Sequence, residues 1–306
     1  MSPRRRTRPL PFLLLAPFFT ALFVFWFIPL LQGFHLSLES DDLYGNTSFV
    51  GFLHYRTLVH DARFWHALRN TFAYCALSVL LILPLALGLA HLLRRTYRKS
   101  RALIQFCLML PGLTPPLVMA LLYVLIFSGP FGLLNRVFLH PFGLPNVDWI
   151  RDPRFVKPSL ALLAMWRWTG FITLIFLSGL EGIPGSYYDT ARTEGASAGQ
   201  LFRYITLPLL RPVTAFVAAF LFLDAFTLFE GAYVLLGGSG GVLDAGLLLI
   251  SYSYITAFTL GNFGSAVAIS FSSLPLLMLV LWFILTQGRI RLFSAVKFSA
   301  AKRLPA

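Results

Sequence analysis

The chain has 306 residues, of which 57% are hydrophobic and only 12% charged, and it carries a formal net charge of +13. That balance excludes an ordinary soluble domain, where about a quarter of residues are charged, and places the chain in a lipid bilayer. The positive charge does not indicate nucleic acid, because the basic residues scatter over the ends of apolar stretches instead of lining one groove with stacking aromatics.

Crossing about 30 Å of hydrocarbon takes roughly 20 consecutive apolar residues. Six stretches qualify, at 12–36, 67–93, 102–127, 159–179, 213–236 and 263–286. The first follows the basic start "MSPRRRTRPL" and resembles a signal peptide in outline. It is longer than an h-region, rich in Phe and Trp, and has no small-residue cleavage site, so it reads as a retained span. One transmembrane domain over 12–286 results, with basic termini at 1–11 and 287–306.

Between the first two spans, "FVGFLHYRTLVHDARFWHAL" reads as a short interfacial helix. His54, His60 and His66 recur every six residues, a spacing that scatters them around a helix and argues against a metal site. Cys75 and Cys107 each lie inside an apolar span with no paired ligand spacing, and read as small core residues.

Positive residues beside spans stay in the cytoplasm. Four arginines precede the first span, "RRTYRKSR" joins the second and third, and Arg289, Arg291, Lys297, Lys302 and Arg303 follow the last. The hairpin after the fifth span, "GGSGGVLDAGLLLISYSYITAFTLGN", has neither Lys nor Arg. Both termini are therefore expected inside. Arg136, Arg151, Arg154 and Lys157 run against this pattern, with Asp148 and Asp152 offsetting them in part.

The polar segment 182–210 separates the fourth and fifth spans. Pro184 and Gly185 end the fourth, and Ser186 stands three residues before Asp189, the spacing of a capping box. Gly195 suits a left-handed helix end, and Ser197 with Gln200 repeats the capping spacing. Pro208 and Pro212 are placed to redirect the chain into the next span. The expected product is helix, glycine bend, helix. It reads either as a pair of amphipathic helices at the membrane interface or as a docking knob for a soluble partner.

This segment resembles the EAA loop of inner-membrane permease subunits of binding-protein-dependent ABC importers. That pattern is Glu-Ala-Ala, three residues, Gly, nine residues, Ile, one residue, Leu-Pro. Here Asp189, Thr190 and Ala191 open it, Gly195 follows, and Ile205, Leu207 and Pro208 close it with the spacing intact. Asp stands for Glu and Thr for Ala. "VGFLHY", "FGLLN", "WRWTGF" and "GLEGIPGSYYDTARTEGAS" are similar to the carbohydrate-uptake subgroup, above all to the first permease subunit for maltose or glycerol-3-phosphate.

The resemblance implies an all-α membrane fold of six transmembrane helices with a cytoplasmic helix-Gly-helix coupling loop. It implies a second permease subunit, two cytoplasmic ATPase subunits and an extracytoplasmic solute-binding protein as partners. ATP and magnesium would sit on the partner ATPase, with no cofactor on this chain and a bacterial or archaeal inner-membrane location. The absence of a GxxxxGK[ST] phosphate loop agrees, and no HExxH or CxxC motif suggests catalysis. An ion-coupled secondary transporter and a membrane-embedded lipid enzyme are the alternatives, though the two halves show no paired broken helices.

Ionisable residues within spans are costly and usually functional. Arg167 lies near the middle of the fourth span, Asp224 near the middle of the fifth, and Glu230 two turns further on. Arg167 between Trp166 and Trp168 reads either as a sugar-stacking platform or as an ion-pair partner of Asp224. Asp224, Thr227, Phe229, Glu230 and Tyr233 mix carboxylates with rings, which suits polyols because hydroxyls need acceptors and sugar C–H faces pack on aromatics. Ordinary helix packing is the competing reading, since 224, 227 and 231 would share one helical face.

Overall fold

The computed structural model describes residues 10–41, 47–129 and 131–289. The basic N-terminus and the tail charges Arg291, Lys297, Lys302 and Arg303 lie outside them. In chain order the elements are α1 (Leu10–Leu22), a π turn (Phe23–Phe27), α2 (Ile28–Leu36), β1 (Glu39–Asp41), β2 (Thr47–Phe49), α3 (Leu53–His60), α4 (Ala62–Arg94), α5 (Arg98–Leu113), α6 (Pro116–Phe127), α7 (Val156–Glu181), α8 (Gly185–Thr193), α9 (Ala198–Leu201), α10 (Leu207–Leu209), α11 (Arg211–Thr227), α12 (Glu230–Leu235), α13 (Leu249–Tyr254) and α14 (Phe263–Arg289). Four helices are long and apolar enough to cross a bilayer, and two bent pairs raise the count to six if each is one span.

Two expected spans are not straight. In place of one helix over 102–127, α5 and α6 meet at 94°. Pro115 and Pro116 remove consecutive N–H donors and push the residues before them out of the α region, and Thr114 and Pro115 are both extended. The expected helix over 213–236 also divides, since α11 stops at Thr227 and α12 starts at Glu230. No proline marks this break. Leu228 takes ψ 104°, and Gly231 brings α12 so close to α7 that a Cβ would meet Leu163 at 2.9 Å.

The chain forms two compact units. The first comprises 1–61 and 253–272, the second 62–252 and 273–306. In the first, β1 and β2 form an antiparallel hairpin pairing Glu39 with Phe49, a departure from the all-α expectation. Within the segment read as a short interfacial helix, the residues from Ala62 on belong to α4, and Leu53–His60 form the helix α3, which carries His54. This buried imidazole lies 2.8 Å from the Glu39 carbonyl through Nε2 and 2.8 Å from Ser265 Oγ through Nδ1. A carbonyl only accepts, so Nε2–H donates and Nδ1 accepts from the serine. His54 is therefore a structural pin. Gly264 passes against the same groups, and a Cβ there would overlap the Glu39 carbonyl.

In the second unit, α4 and α7 form the packing core. The buried residues of α4 recur every three to four positions, Ala67, Asn70, Tyr74, Ser78, Ile82, Ala86 and Ala90, and make one stripe. Small residues let membrane helices approach closely, and Gly170 of α7 shows the limit, where a Cβ would overlap the Leu108 carbonyl of α5. Cys75 is buried as expected, whereas Cys107 is exposed and contributes nothing to a core.

The hairpin after α12 is a clamped loop. Gly237, Gly238 and Gly241 take positive φ, and so do Leu243 and Asp244, where side chains make that conformation costly. Arg63 grips Asp244 through two contacts of 2.7 and 3.0 Å. Asn70 donates to the carbonyls of Asp244 and Leu247, and Lys157 donates to Asn70 Oδ1 and the Ala245 carbonyl. Two of the four outlying cations thus have local work: Lys157 serves this loop, and Arg154 forks onto Asp152 at 2.7 Å and holds that carboxyl below its usual range. Asp148 accepts from the backbone N–H of Arg151, not from its side chain.

Candidate functional site

The segment 182–210 folds as helix, glycine bend, helix. α8 begins at Gly185 with no side-chain cap, so the capping box expected at Ser186 does not form. Pro184 has the extended conformation that starts the helix two residues earlier, and its carbonyl accepts from the Tyr187 N–H. At the other end, Gly195 takes φ +83°. Its N–H reaches the Arg192 carbonyl and the Ala196 N–H reaches the Ala191 carbonyl, which is the Schellman closure. The second capping box is real: Gln200 N–H donates to Ser197 Oγ, and Ser197 N–H donates to Gln200 Oε1.

A π turn at Phe202–Thr206 precedes α10. Pro208 has no N–H to continue the α ladder, and the wider turn absorbs the missing bond. α11 then departs at 63° to the helical run before it. The Tyr188 hydroxyl lies 3.0 Å from Thr206 Oγ1 and ties the two arms of the elbow together. Asp189, Thr190 and Gly195 are exposed, Ala191 and Ile205 half-buried, and Leu207 is exposed with Pro208 half-buried behind it. Tyr187 and Tyr204 are 55% and 69% exposed, so the elbow presents aromatic surface, with the Arg203 guanidinium 5.9 Å from the centroid of the Tyr204 ring. A concave notch of about 300 Å³ beside the bend is lined by Ala191, Gly195, Tyr204 and Ile205.

The second candidate site divides differently from expectation. Asp224 Oδ2 accepts a 2.9 Å hydrogen bond from Trp168 Nε1, and the Arg167 guanidinium lies 4.8 Å from the centroid of the Trp168 ring. Arg167 and Asp224 make no ion pair among the described residues; each engages Trp168 instead. Arg167 Nε is buried without a hydrogen-bond partner. Phe220 meets Trp168 edge-on at 4.8 Å and fixes its plane. Trp166 instead faces Tyr123 at 5.9 Å, away from this cluster.

Beyond the break at Leu228, Phe229 and Tyr233 lie ring to ring at 5.0 Å on α12, and Glu230 is exposed. Thr227 turns its hydroxyl back onto the Leu223 and Asp224 carbonyls. The face expected at 224, 227 and 231 does not exist, because 231 belongs to a separate helix. Trp168 was visible in the sequence only as a flank of Arg167. Among the described residues no group of three or more His, Cys, Asp and Glu is placed to hold a metal.

Comparison with known proteins follows the same lines. The family described as "Binding-protein-dependent transport system inner membrane component" matches residues 79–289. The arabinooligosaccharides transport system permease protein AraP of Bacillus subtilis is 32% identical over 271 residues, 88% of this chain and 85% of that protein. The trehalose/maltose transport system permease protein MalF of Thermococcus litoralis is 30% identical over 287 residues, covering 94% of this chain and 96% of its own length. In fold, a chain from the crystal structure of a bacterial ABC transporter that imports the acidic polysaccharide alginate superposes with a TM-score of 0.78 at 22% identity, covering 92% of this chain and 95% of that one. These relationships leave no place for an ion-coupled carrier or a lipid enzyme. The chain belongs to the family of binding-protein-dependent transport system inner membrane components, and is a multi-pass permease subunit and not an enzyme.

Proposed function

We propose that this permease carries a carbohydrate or related polyol, and that the elbow 182–210 is the contact through which a separate ATPase drives it. The cargo class rests on relatives whose names specify arabinooligosaccharides, trehalose or maltose, and lactose. An extracytoplasmic solute-binding protein is the expected donor, in keeping with the alginate transporter solved in complex with its pentasaccharide-bound periplasmic protein. A second permease subunit completes the path, and ATP with magnesium binds to the ATPase pair. The elbow and both termini face the cytoplasm, as the distribution of Lys and Arg requires. Alternating access follows when ATP closes the ATPase pair and the docked elbows move the spans, because a shift between states needs contacts that differ between them.

One observation carries the docking role: an exposed aromatic elbow is locked at Gly195 by a Schellman turn, and a Cβ there meets no neighbouring atom within 4 Å among the described residues. A side chain at 195 is therefore felt through backbone strain and through whatever docks. Asn and Asp both tolerate the left-handed region whereas Val does not, so Gly195→Asn and Gly195→Asp report on docking and Gly195→Val adds backbone strain. All three should insert normally and lose copurifying ATPase by about tenfold or more, the cost of roughly 1.4 kcal/mol at the contact. ATPase association and ATP-driven uptake at the wild-type level in Gly195→Asp would remove the docking role.

A further inference from the structure

At the end of α4 the second unit closes a cavity of about 450 Å³ lined by His91, Arg94, Arg95, Tyr188, Asp189 and Arg192 among others. Three arginines face one carboxylate there, an excess of two positive charges. Arg192 Nη1 lies 3.3 Å from Asp189 Oδ1, which leaves Arg94 and Arg95 as the uncompensated pair. The Arg94 guanidinium is held 5.4 Å from the Tyr188 ring centroid and has no carboxylate partner among the described residues. Arg95 Nη2 donates to His91 Nε2 at 3.3 Å, so the His91 proton sits on Nδ1, and that buried donor has no acceptor among the described residues. Gly185 brings the uncapped start of α8 to the same cavity, adding the positive end of a helix.

We propose that this cavity binds a phosphate-bearing anion, with the phosphodiester headgroup of an anionic membrane phospholipid as its source. Guanidinium forks match phosphate oxygens in pairs, and a stacked arginine is oriented before the ligand arrives. Basic pockets at the cytoplasmic ends of spans are suited to such headgroups. The lipid source is favoured over a free anion because the cavity lies at the end of the apolar membrane-length helix α4, whose Leu85 and Leu92 are 41% and 64% exposed. A bound headgroup would bridge α4 and α8, so lipid composition would tune how firmly the elbow is held to the spans. The site uses the α4 face of the elbow and shares Asp189 with the proposed docking contact, but lipid retention and ATPase association are measured separately, so either can fail alone.

The test uses the full-length protein in nanodiscs of phosphatidylcholine with and without phosphatidylglycerol, read by native mass spectrometry and by the melting temperature. The wild type should retain phosphatidylglycerol above its share of the mixture and melt higher in its presence. Arg94→Gln/Arg95→Gln should lower that retention about tenfold, the equivalent of one charge-assisted hydrogen bond, and Arg94→Lys/Arg95→Lys should restore part of it. Inorganic phosphate that stabilises the wild type in phosphatidylcholine, without enrichment of phosphatidylglycerol, would assign the site to a free anion. Absence of both effects in the wild type would overturn the proposal without recourse to any variant. It would equally be overturned if the Gln variant bound anions like the wild type, or if it lost only the ATPase.

Discussion

Trp168 and Asp224 define the residue scale, because each satisfies a group that the apolar interior would otherwise leave costly. The indole N–H is the hydrogen-bond donor recorded for the Asp224 carboxylate, at 2.9 Å. Trp168→Phe should therefore destabilise the protein by about 1–3 kcal/mol, the usual cost of orphaning a buried polar group, read as a lower melting temperature in detergent. Replacing both partners, as Trp168→Phe/Asp224→Leu, should regain most of that stability, since removing both ends of a buried bond is nearly neutral. Transport divides the two roles. A double variant that is stable but inactive places Asp224 on the cargo path, and recovery of wild-type uptake along with stability would make it a packing residue. At the other end of exposure, Arg154 holds Asp152 ionised below its usual range, so this surface fork is present at neutral pH and lost as the pH falls through that lowered value.

Among the elements, the loop after α12 owes its shape to α4 and α7. Asn70 alone serves two loop carbonyls and the Lys157 ammonium. Asn70→Ala should cost about 1–3 kcal/mol and raise hydrogen exchange across 237–248 well before the α4–α7 core opens. Unchanged exchange there would show that the glycine turns hold the loop unaided. Close packing sets a second limit at Gly170. The overlap a Cβ would make with the Leu108 carbonyl involves backbone on both sides, so Gly170→Val should separate α5 from α7 and prevent folded protein from accumulating. The elbow was far more legible than this loop. Gly195, Ser197 and Gln200 act on neighbours within a few residues, and all three did what local chemistry requires. Ser186 failed because Pro184, two residues earlier, set the boundary first.

For the whole molecule, topology is the testable quantity. In a chain freed of Cys75 and Cys107, a cysteine placed at position 2 or 305 should react with an impermeant maleimide in inverted vesicles and stay protected in right-side-out ones, and the reverse labelling would invert every assignment of side made above. Hydropathy by itself located the apolar stretches, and local capping chemistry with the spacing from Asp189 to Pro208 identified the elbow and the family, because these properties depend on residues close in sequence. The tertiary structure alone decided that α11 ends at Thr227, that Trp168 and not Arg167 holds Asp224, and that Arg63, Asn70 and Lys157 converge on one loop. Each of those outcomes depends on groups brought together from distant parts of the chain, and the position of such partners cannot be read from spacing along one strand of sequence.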